Sequence, residues 1–447
     1  MNKIAKIFNP SNAFIRIEIS KLNLVLDPWI TDGIYDGGWM IFPRVKNLIK
    51  YLHDADIIFF THLHKDHFDL NILNFLEKKV KFVIPKVFGW QVMKNEIIQK
   101  CGKNYDIEVL DFGKTLRLNE YLSVESIPPL NLSGLEQNDD DDDSTFIDSG
   151  FIFNSKFGKF AFLADNNLYN YKKIINLNNL RDVDLVGVAY TGFASDYPFN
   201  YNYNFKKKVT ICNDNEDIRF KIQTKCLKNI NAKNLLLYSS EFAPTGENAL
   251  EYAKVVSEVW TSDKMNVAQK YEKQLGINVF GLYEGDHLTI NSKKSISKFE
   301  SKNKVDLDLI NYVKTYSSKM MPNESDIFKI ENIDDTLIEN CSTNMFKAID
   351  RFQLKPRFNV IIKINESDEN IFIDSRTRKV LKNVKKYDEN FLIKCQINKK
   401  YLYALLSRQT HWNDATLSYR LRWERIPNEF CNDTYNMLNW FTLPREK

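Results

Sequence analysis

Three of the chain's six histidines fall within six positions, in the run Thr61-His62-Leu63-His64-Lys65-Asp66-His67. Imidazole nitrogen and carboxylate oxygen at this density suit a transition ion such as zinc, iron or manganese. The run follows Ile57-Ile58-Phe59-Phe60, an apolar stretch that reads as a buried strand. On an extended segment the side chains of His62 and His64 point to one side and can grip one ion. Asp66 and His67 begin the turn beyond it and can face a second ion. Two ions side by side can activate a water or bind dioxygen. The alternative is a polar loop facing solvent, against which stands the gathering of half the histidines in one hexapeptide.

The elements around the run read as strand and helix in alternation. Phe14 to Ile19 and Leu22 to Leu26 alternate as a hairpin would, and Asp27-Pro28-Trp29 stops the second strand. Asp27 is a candidate to accept the second ring nitrogen of a metal-bound histidine, or else to cap a turn. Helical patterns cover Val45 to Leu52, Leu70 to Leu76 and Val87 to Cys101, with a strand at Val80 to Pro85. Gly150 to Phe153 and Lys159 to Ala164 form a second hairpin whose exit carries Asp165, a carboxylate placed to bridge two ions. Asp184 to Tyr190 and Asn234 to Tyr238 are further buried strands, and short connections argue α/β layering.

At 447 residues, 43% hydrophobic and 27% charged, the chain has room for two globular domains. A formal charge of +4 demands neither nucleic acid nor membrane as partner. No stretch approaches the roughly 20 apolar residues of a spanning helix, and Met1 to Ser20 lacks a signal-peptide pattern. Six scattered cysteines without a paired motif fit free thiols, so the expected location is cytoplasmic. The acid run Asp139 to Asp143 reads as a solvated loop, lacking the glycine and alternation of a calcium site. Tyr190 and Ser195, at a strand end and its loop, are candidate substrate contacts with Tyr197 and Lys206, which belong to a stretch where Tyr197, Phe199, Tyr201, Tyr203 and Phe205 alternate before a lysine triplet. It would suit a base and phosphate, or equally an edge strand with a solvated end. The expected domains are 1–295, a linker with a helix at 296–345, and an α+β domain at 346–447. In the last, Arg408, His411, Trp412, Asn413 and Asp414 cap a helix or face the site.

The histidine run after a strand, with Asp165 beyond a later one, resembles the metallo-β-lactamase superfamily. Within it the chain is similar to the catalytic portion of the cytidine monophosphate-N-acetylneuraminic acid hydroxylases. The similarity is carried by Leu26-Asp27-Pro28-Trp29, Gly38-Trp39, Ala55 to His67 and Gly192 to Pro198, in that order within Phe14 to Ile290. The resemblance implies an α/β fold, a metallo-β-lactamase-like αββα sandwich with metals at one edge, here followed by the C-terminal α+β domain. It also implies that His62 and His64 serve one metal, Asp66 and His67 the second, and that Asp165 bridges. Asp66 would then orient the attacking water or take its proton. Two divalent ions, zinc or iron, are the implied cofactors, or one ion if the set is incomplete.

Superfamily members supply a histidine between the first motif and the bridging aspartate, where this chain has none, so Asn131 or Asp148 would substitute. A late histidine is also usual, for which Glu241 or His287 would stand in. The hydroxylases carry a Rieske domain, whose cysteine and histidine pairs this sequence lacks. The reading is a metallohydrolase acting on a small molecule through a metal-bound hydroxide. The alternatives are a di-iron oxygenase of a nucleotide-sugar-like substrate with a separate Rieske or ferredoxin donor, and a degenerate binding module.

Overall fold

The computed structural model describes residues 4–102, 105–130, 147–166, 168, 178–302, 304–320, 322, 324–365 and 367–444. The acid run Asp139 to Asp143 lies outside them.

Two sheets face each other. The first has eight strands in the order Ile296–Phe299, His287–Asn291, Ile4–Ser11, Phe14–Ile19, Leu22–Leu26, Ile57–Phe59, Lys81–Pro85, Asp106–Leu110. The last four run parallel. The second has seven, in the order Asn278–Gly281, Asn234–Tyr238, Leu185–Ala189, Gly158–Phe162, Gly150–Ser155, Leu122–Ile127, Thr115–Asn119, of which the first four are parallel.

Period-2 alternation divides each central strand between two cores. Leu24, Leu26, Ile57 and Phe59 of the first sheet meet Phe151, Phe153, Phe160 and Phe162 of the second in one core between the sheets. Val25, Ile58, Phe82 and Ile84 face outward, where Met93 and Ile97 of the helix Trp90–Cys101 cover them. On the far side Val186, Val188, Leu235 and Leu237 are covered by the helices Phe205–Asn229 and Lys264–Leu275. Strands buried on both faces must be apolar at every position, which is why they read as continuous runs. The result is the expected helix, sheet, sheet, helix order. Two expected helices are shorter: Ile49–Tyr51 and Leu70–Phe75 are only 3₁₀ turns.

A third, five-stranded sheet in the order Lys379–Lys382, Asn370–Asp374, Asn359–Ile364, Leu392–Ile397, Leu421–Ile426 has its own core. The expected boundaries need correction. The strand Ile296–Phe299 still belongs to the first sheet. The helix Leu309–Met320 packs Tyr312 and Val313 against Met40, Ala243, Ala249 and Ala253, so 296–345 is not a bare linker. The C-terminal unit begins with the helix Asp335–Phe352, whose Ile338, Cys341, Met345 and Ile349 enter its core. The tyrosine stretch is also not an edge strand of the first unit. Tyr201 bridges to Trp423 of the third sheet and lies in that sheet's core, because its neighbours Asn200 and Asn202 exchange backbone hydrogen bonds with Trp423.

A buried ion pair fixes one strand exit near the middle of the second sheet. Arg219 donates to the carbonyls of Ala189 and Tyr190 and to Glu216, which accepts from the Gly192 amide at 2.8 Å. Arg219→Met would leave the Glu216 carboxylate buried without its countercharge. Urea denaturation should show a loss of about 3–5 kcal/mol, most of it recovered when Glu216→Gln is added.

Candidate metal centre

The parallel strands Leu22–Leu26 and Ile57–Phe59 end side by side, and the strand Gly158–Phe162 ends across from them in the second sheet. Asp27 follows the first of these with a φ of 44°. Its Oδ1 accepts from the Thr61 amide at 2.8 Å, and its Oδ2 accepts the Thr61 hydroxyl at 2.6 Å and His67 Nδ1 at 2.8 Å. Asp27 is 1% exposed. Burial pushes its carboxyl above the usual value, opposed by His67 and by the Thr61 donors.

This carboxylate assigns the tautomers of two histidines. An ionised carboxylate only accepts, so Thr61 spends its hydroxyl proton on Asp27 and must accept from His62 Nδ1, 2.9 Å away. His67 Nδ1 likewise donates to Asp27. His62 therefore presents an Nε2 lone pair away from Asp27, and His67 turns its Nε2 the same way. His67 Nε2 makes no hydrogen bond, yet lies 3.3 Å from Asp66 Oδ2 and 3.3 Å from Asp165 Oδ2. His62 Nε2 lies 2.9 Å from His64 Nδ1 and 3.5 Å from Asp148 Oδ1.

Ring nitrogens and carboxylate oxygens at these separations repel unless a proton or a metal cation lies among them, and the His64 Nδ1 proton and a second His67 proton fill that role in the absence of metal. Donors on one tetrahedral zinc stand about 3.3 Å apart, given metal–ligand bonds of about 2 Å. The donor atoms of His62, His64 and Asp148 lie within 4.8 Å of one another, as do those of His62, His67 and Asp165. Each is a set of two histidines and a carboxylate, chemistry that fits a zinc or non-haem iron ion with open positions. The electrostatics agree. Burial, with His67 and His64 alongside, pushes His62 well below the ordinary histidine value and keeps it neutral. Burial also opposes charge on His67, but Asp66, Asp165 and Asp27 draw a proton to it and raise it well above that value. His62, His67 and Asp27 are sealed, whereas His64, Asp148 and Asp165 are half-buried and form the open side.

Asp66 is placed by two residues that sequence reasoning missed. Tyr35 donates its hydroxyl to Asp66 Oδ1 at 2.6 Å, and Asn12 Nδ2 approaches Asp66 Oδ2 at 3.4 Å. Burial opposes the Asp66 charge, but His67, His64 and the Tyr35 hydroxyl hold its carboxyl well below the usual range. Burial and then Asp66 push the Tyr35 phenol well above its ordinary value, so it remains a donor. Tyr35 and Asp36 both adopt left-handed conformations, with φ of 52° and 56°. Each costs about 1–2 kcal/mol for a residue with a Cβ and persists only where surrounding contacts impose it. The only hint in the sequence is the glycine-flanked Gly33-Ile34-Tyr35-Asp36-Gly37-Gly38. Ser239 was also missed; its hydroxyl donates to Asp165 Oδ1 at 3.1 Å.

The remaining expected residues fall elsewhere or outside the described residues, as Asn131 does. Of the substitute ligands, Asp148 joins His62 and His64. Glu241 does not join the cluster, since Tyr190 donates to its Oε1 at 3.0 Å and buried Lys264 to its Oε2 at 2.8 Å. His287 stacks between Phe8 and Phe299 at 5.0 and 4.8 Å. Ser195 accepts from the Tyr197 amide, Tyr197 packs under Arg425 of the C-terminal unit, and Lys206 is exposed in the first turn of its helix. None of these contacts is with the histidine and aspartate cluster. From the C-terminal group, Asp414 accepts from Lys65 at 2.7 Å, while Trp412 is buried in the third sheet's core.

No family model matches the chain. It is 25% identical over 114 residues to the cytidine monophosphate-N-acetylneuraminic acid hydroxylase of Danio rerio, a match covering 25% of this chain and 19% of that protein. Among solved structures, a metallo hydrolase from Ignicoccus hospitalis matches at 15% identity and a TM-score of 0.41, covering 67% of this chain and 100% of that one. CmlA, a diiron β-hydroxylase from Streptomyces venezuelae, matches at 14% identity and a TM-score of 0.42, covering 65% and 54%. No helix among the described residues is long and apolar enough to cross a membrane. The helix, sheet, sheet, helix order and the place of the histidine run at the strand exits agree with the metallo-β-lactamase-like fold that the motif implies.

Proposed function

We propose that the chain is a metal-dependent enzyme acting on a small molecule, with two ions held side by side. His62, His64 and Asp148 hold one ion, and His67, Asp165 and Asp66 the other. The observation that carries this reading is the shared Asp27, which through Thr61 and directly turns the Nε2 atoms of both His62 and His67 into the cluster. Bound there, such ions supply Lewis acidity towards water or, as iron, the means of reducing dioxygen.

Of the two chemistries, hydroxylation is favoured by two observations. A carboxylate, Asp148, stands beside His62 and His64 where the superfamily's pattern calls for imidazole, and oxygen donors shift preference from zinc towards iron or manganese. The curated relative is itself a hydroxylase. Inserting oxygen into a C–H bond takes dioxygen, two electrons and two protons, and releases water. The electrons would come from a separate Rieske or ferredoxin-type protein. Hydrolysis is the second reading, since a set of two histidines and a carboxylate, as in His62, His64 and Asp148, holds zinc equally well. In either case Asp66 serves better as a ligand than as a base, because both its oxygens are engaged and its carboxyl sits well below the usual range. Substrate enters from the side of His64, Asp148 and Asp165. Lys65 contributes little attraction to an anionic substrate, its charge being matched by Asp414 and Asp36.

Protein purified without added metal should carry near two irons per chain by elemental analysis, lost in His64→Ala. Zinc in their place would favour hydrolysis, and no metal above the control would sink both enzyme readings and leave a binding module. Asp27→Asn keeps the volume but removes the charge that orients both rings. Metal affinity by chelator competition should fall about 10–100-fold, and an unchanged affinity would remove Asp27 from the centre. Ion binding at His67 must displace the proton that Asp66, Asp165 and Asp27 draw to it. Affinity measured across pH should therefore weaken about tenfold per unit below the His67 value and level off above it.

A further inference from the structure

We infer that the C-terminal unit reaches into the metal centre through Asp36 and Tyr35 and fixes the orientation of the Asp66 carboxylate, which makes Tyr35 and Asp36 positioning residues. The inference rests on the reading of Asp66 as a ligand.

The left-handed turn at Tyr35 and Asp36 is gripped from the C-terminal side at three levels. Asp36 Oδ2 accepts the Tyr401 hydroxyl at 2.5 Å and the Thr410 hydroxyl. The Asp36 carbonyl accepts from Arg420 at 2.7 Å. Trp39 Nε1 donates to the Leu417 carbonyl at 2.6 Å. The fit between the units is close at this point, since a Cβ on Gly38 would stand 2.6 Å from both Cα and Cβ of Ser418. On the other side of the turn the Tyr35 ring packs edge-on against Trp39 at 4.8 Å, and its hydroxyl meets Asp66 at 2.6 Å. Asp36 and, from the C-terminal unit, Asp414 also flank Lys65, which lies between His64 and Asp66 in sequence. A turn in an unfavourable conformation holds its shape only while its partners hold it. Among the described residues, both hydroxyls that donate to Asp36 Oδ2, those of Tyr401 and Thr410, belong to the C-terminal unit. The hydrogen bond that sets Asp66 is therefore made by a residue whose backbone that unit constrains.

The test uses full-length protein, cobalt(II) as probe and two variants. Tyr401→Phe with Thr410→Val removes both hydroxyls from Asp36. Arg422→Gln loosens the contact between the units elsewhere, where Arg422 bonds the Phe199 carbonyl, Asn248 and Glu251. The clamp variant should bind cobalt about tenfold more weakly at one of the two positions. Its visible spectrum should change as that of Tyr35→Phe does, and the combination should add nothing further. Arg422→Gln should lower the melting temperature and leave the spectrum alone. An unaltered spectrum in the clamp variant, or an effect that adds to that of Tyr35→Phe, overturns the inference. If the wild type takes up no cobalt, the proposed function fails by itself. The clamp is then read in metal-free protein from amide exchange at 34–39, which must quicken in the clamp variant and not in Arg422→Gln, or the inference fails too.

Discussion

The centre depends on one buried carboxylate. Asp27 is removed from water at the end of a central strand, a position that is costly for a charge unless donors surround it. It receives three, two from Thr61 and one from His67, and those hydrogen bonds tie the exits of two neighbouring parallel strands together. The geometry of the strands and the chemistry of the histidines are therefore set by the same contacts. Were Asp27 neutral or absent, Thr61 could turn its proton towards His62 Nδ1, and Nε2 would become the protonated nitrogen facing the other donors. A centre of this kind is ordered by hydrogen bonds behind the ligands as much as by the ligands themselves.

The second constraint is that the candidate ligands come from two sheets. Asn12, in the hairpin turn of the first sheet, accepts the Ser239 amide on its carbonyl and the Glu241 amide on its side chain, while its Nδ2 points to Asp66. Ser239 in turn bonds Asp165 at the facing exit. Packing of phenylalanines between the sheets, Phe59 against Phe151 and Phe153 at 5.2 and 5.1 Å, sets the spacing that these polar contacts span. The core thus fixes how far apart His67 and Asp165 can stand, and the site inherits its distances from the hydrophobic layer beneath it.

What was legible in the sequence follows from how local its cause is. The strand before His62 is buried on both faces, so its apolar run gave away its position, while those before Asp27 and Asp165 showed as arms of two hairpins; in each case the residue at the end could be read. The runs argued α/β layering, and the sandwich order came from the resemblance that the histidine motif carries. The histidine run carries its own chemistry and needed no partner to be recognised. Glu241 misled because what neutralises it, Lys264, lies on a later helix, and no spacing rule connects the two. The tyrosine stretch misled for a related reason: Tyr197, Tyr201 and Tyr203 pack with the core that holds Trp423, more than two hundred residues further on, whereas Phe199 packs on Tyr252 and Phe205 is exposed. Tyr35 was invisible because its role is created by a turn whose conformation is imposed from the C-terminal unit.

Charge explains why that long-range support matters. Asp66, Asp148 and Asp165 face three imidazoles, and only His67 is strongly drawn to a proton. Bringing carboxylates this close together disfavours the folded arrangement in the absence of cations, since each repels the others at short range in a poorly screened interior. Neutral donors such as Tyr35, Asn12 and Ser239 can hold those carboxylates in place without competing for them as a lysine would. Lys65, the nearest strong competitor in sequence, is turned away by Asp36 and Asp414. The contacts of the C-terminal unit therefore act in two ways at once: they brace the turn that presents a neutral hydroxyl to Asp66, and they occupy the ammonium group that would otherwise be free to neutralise it.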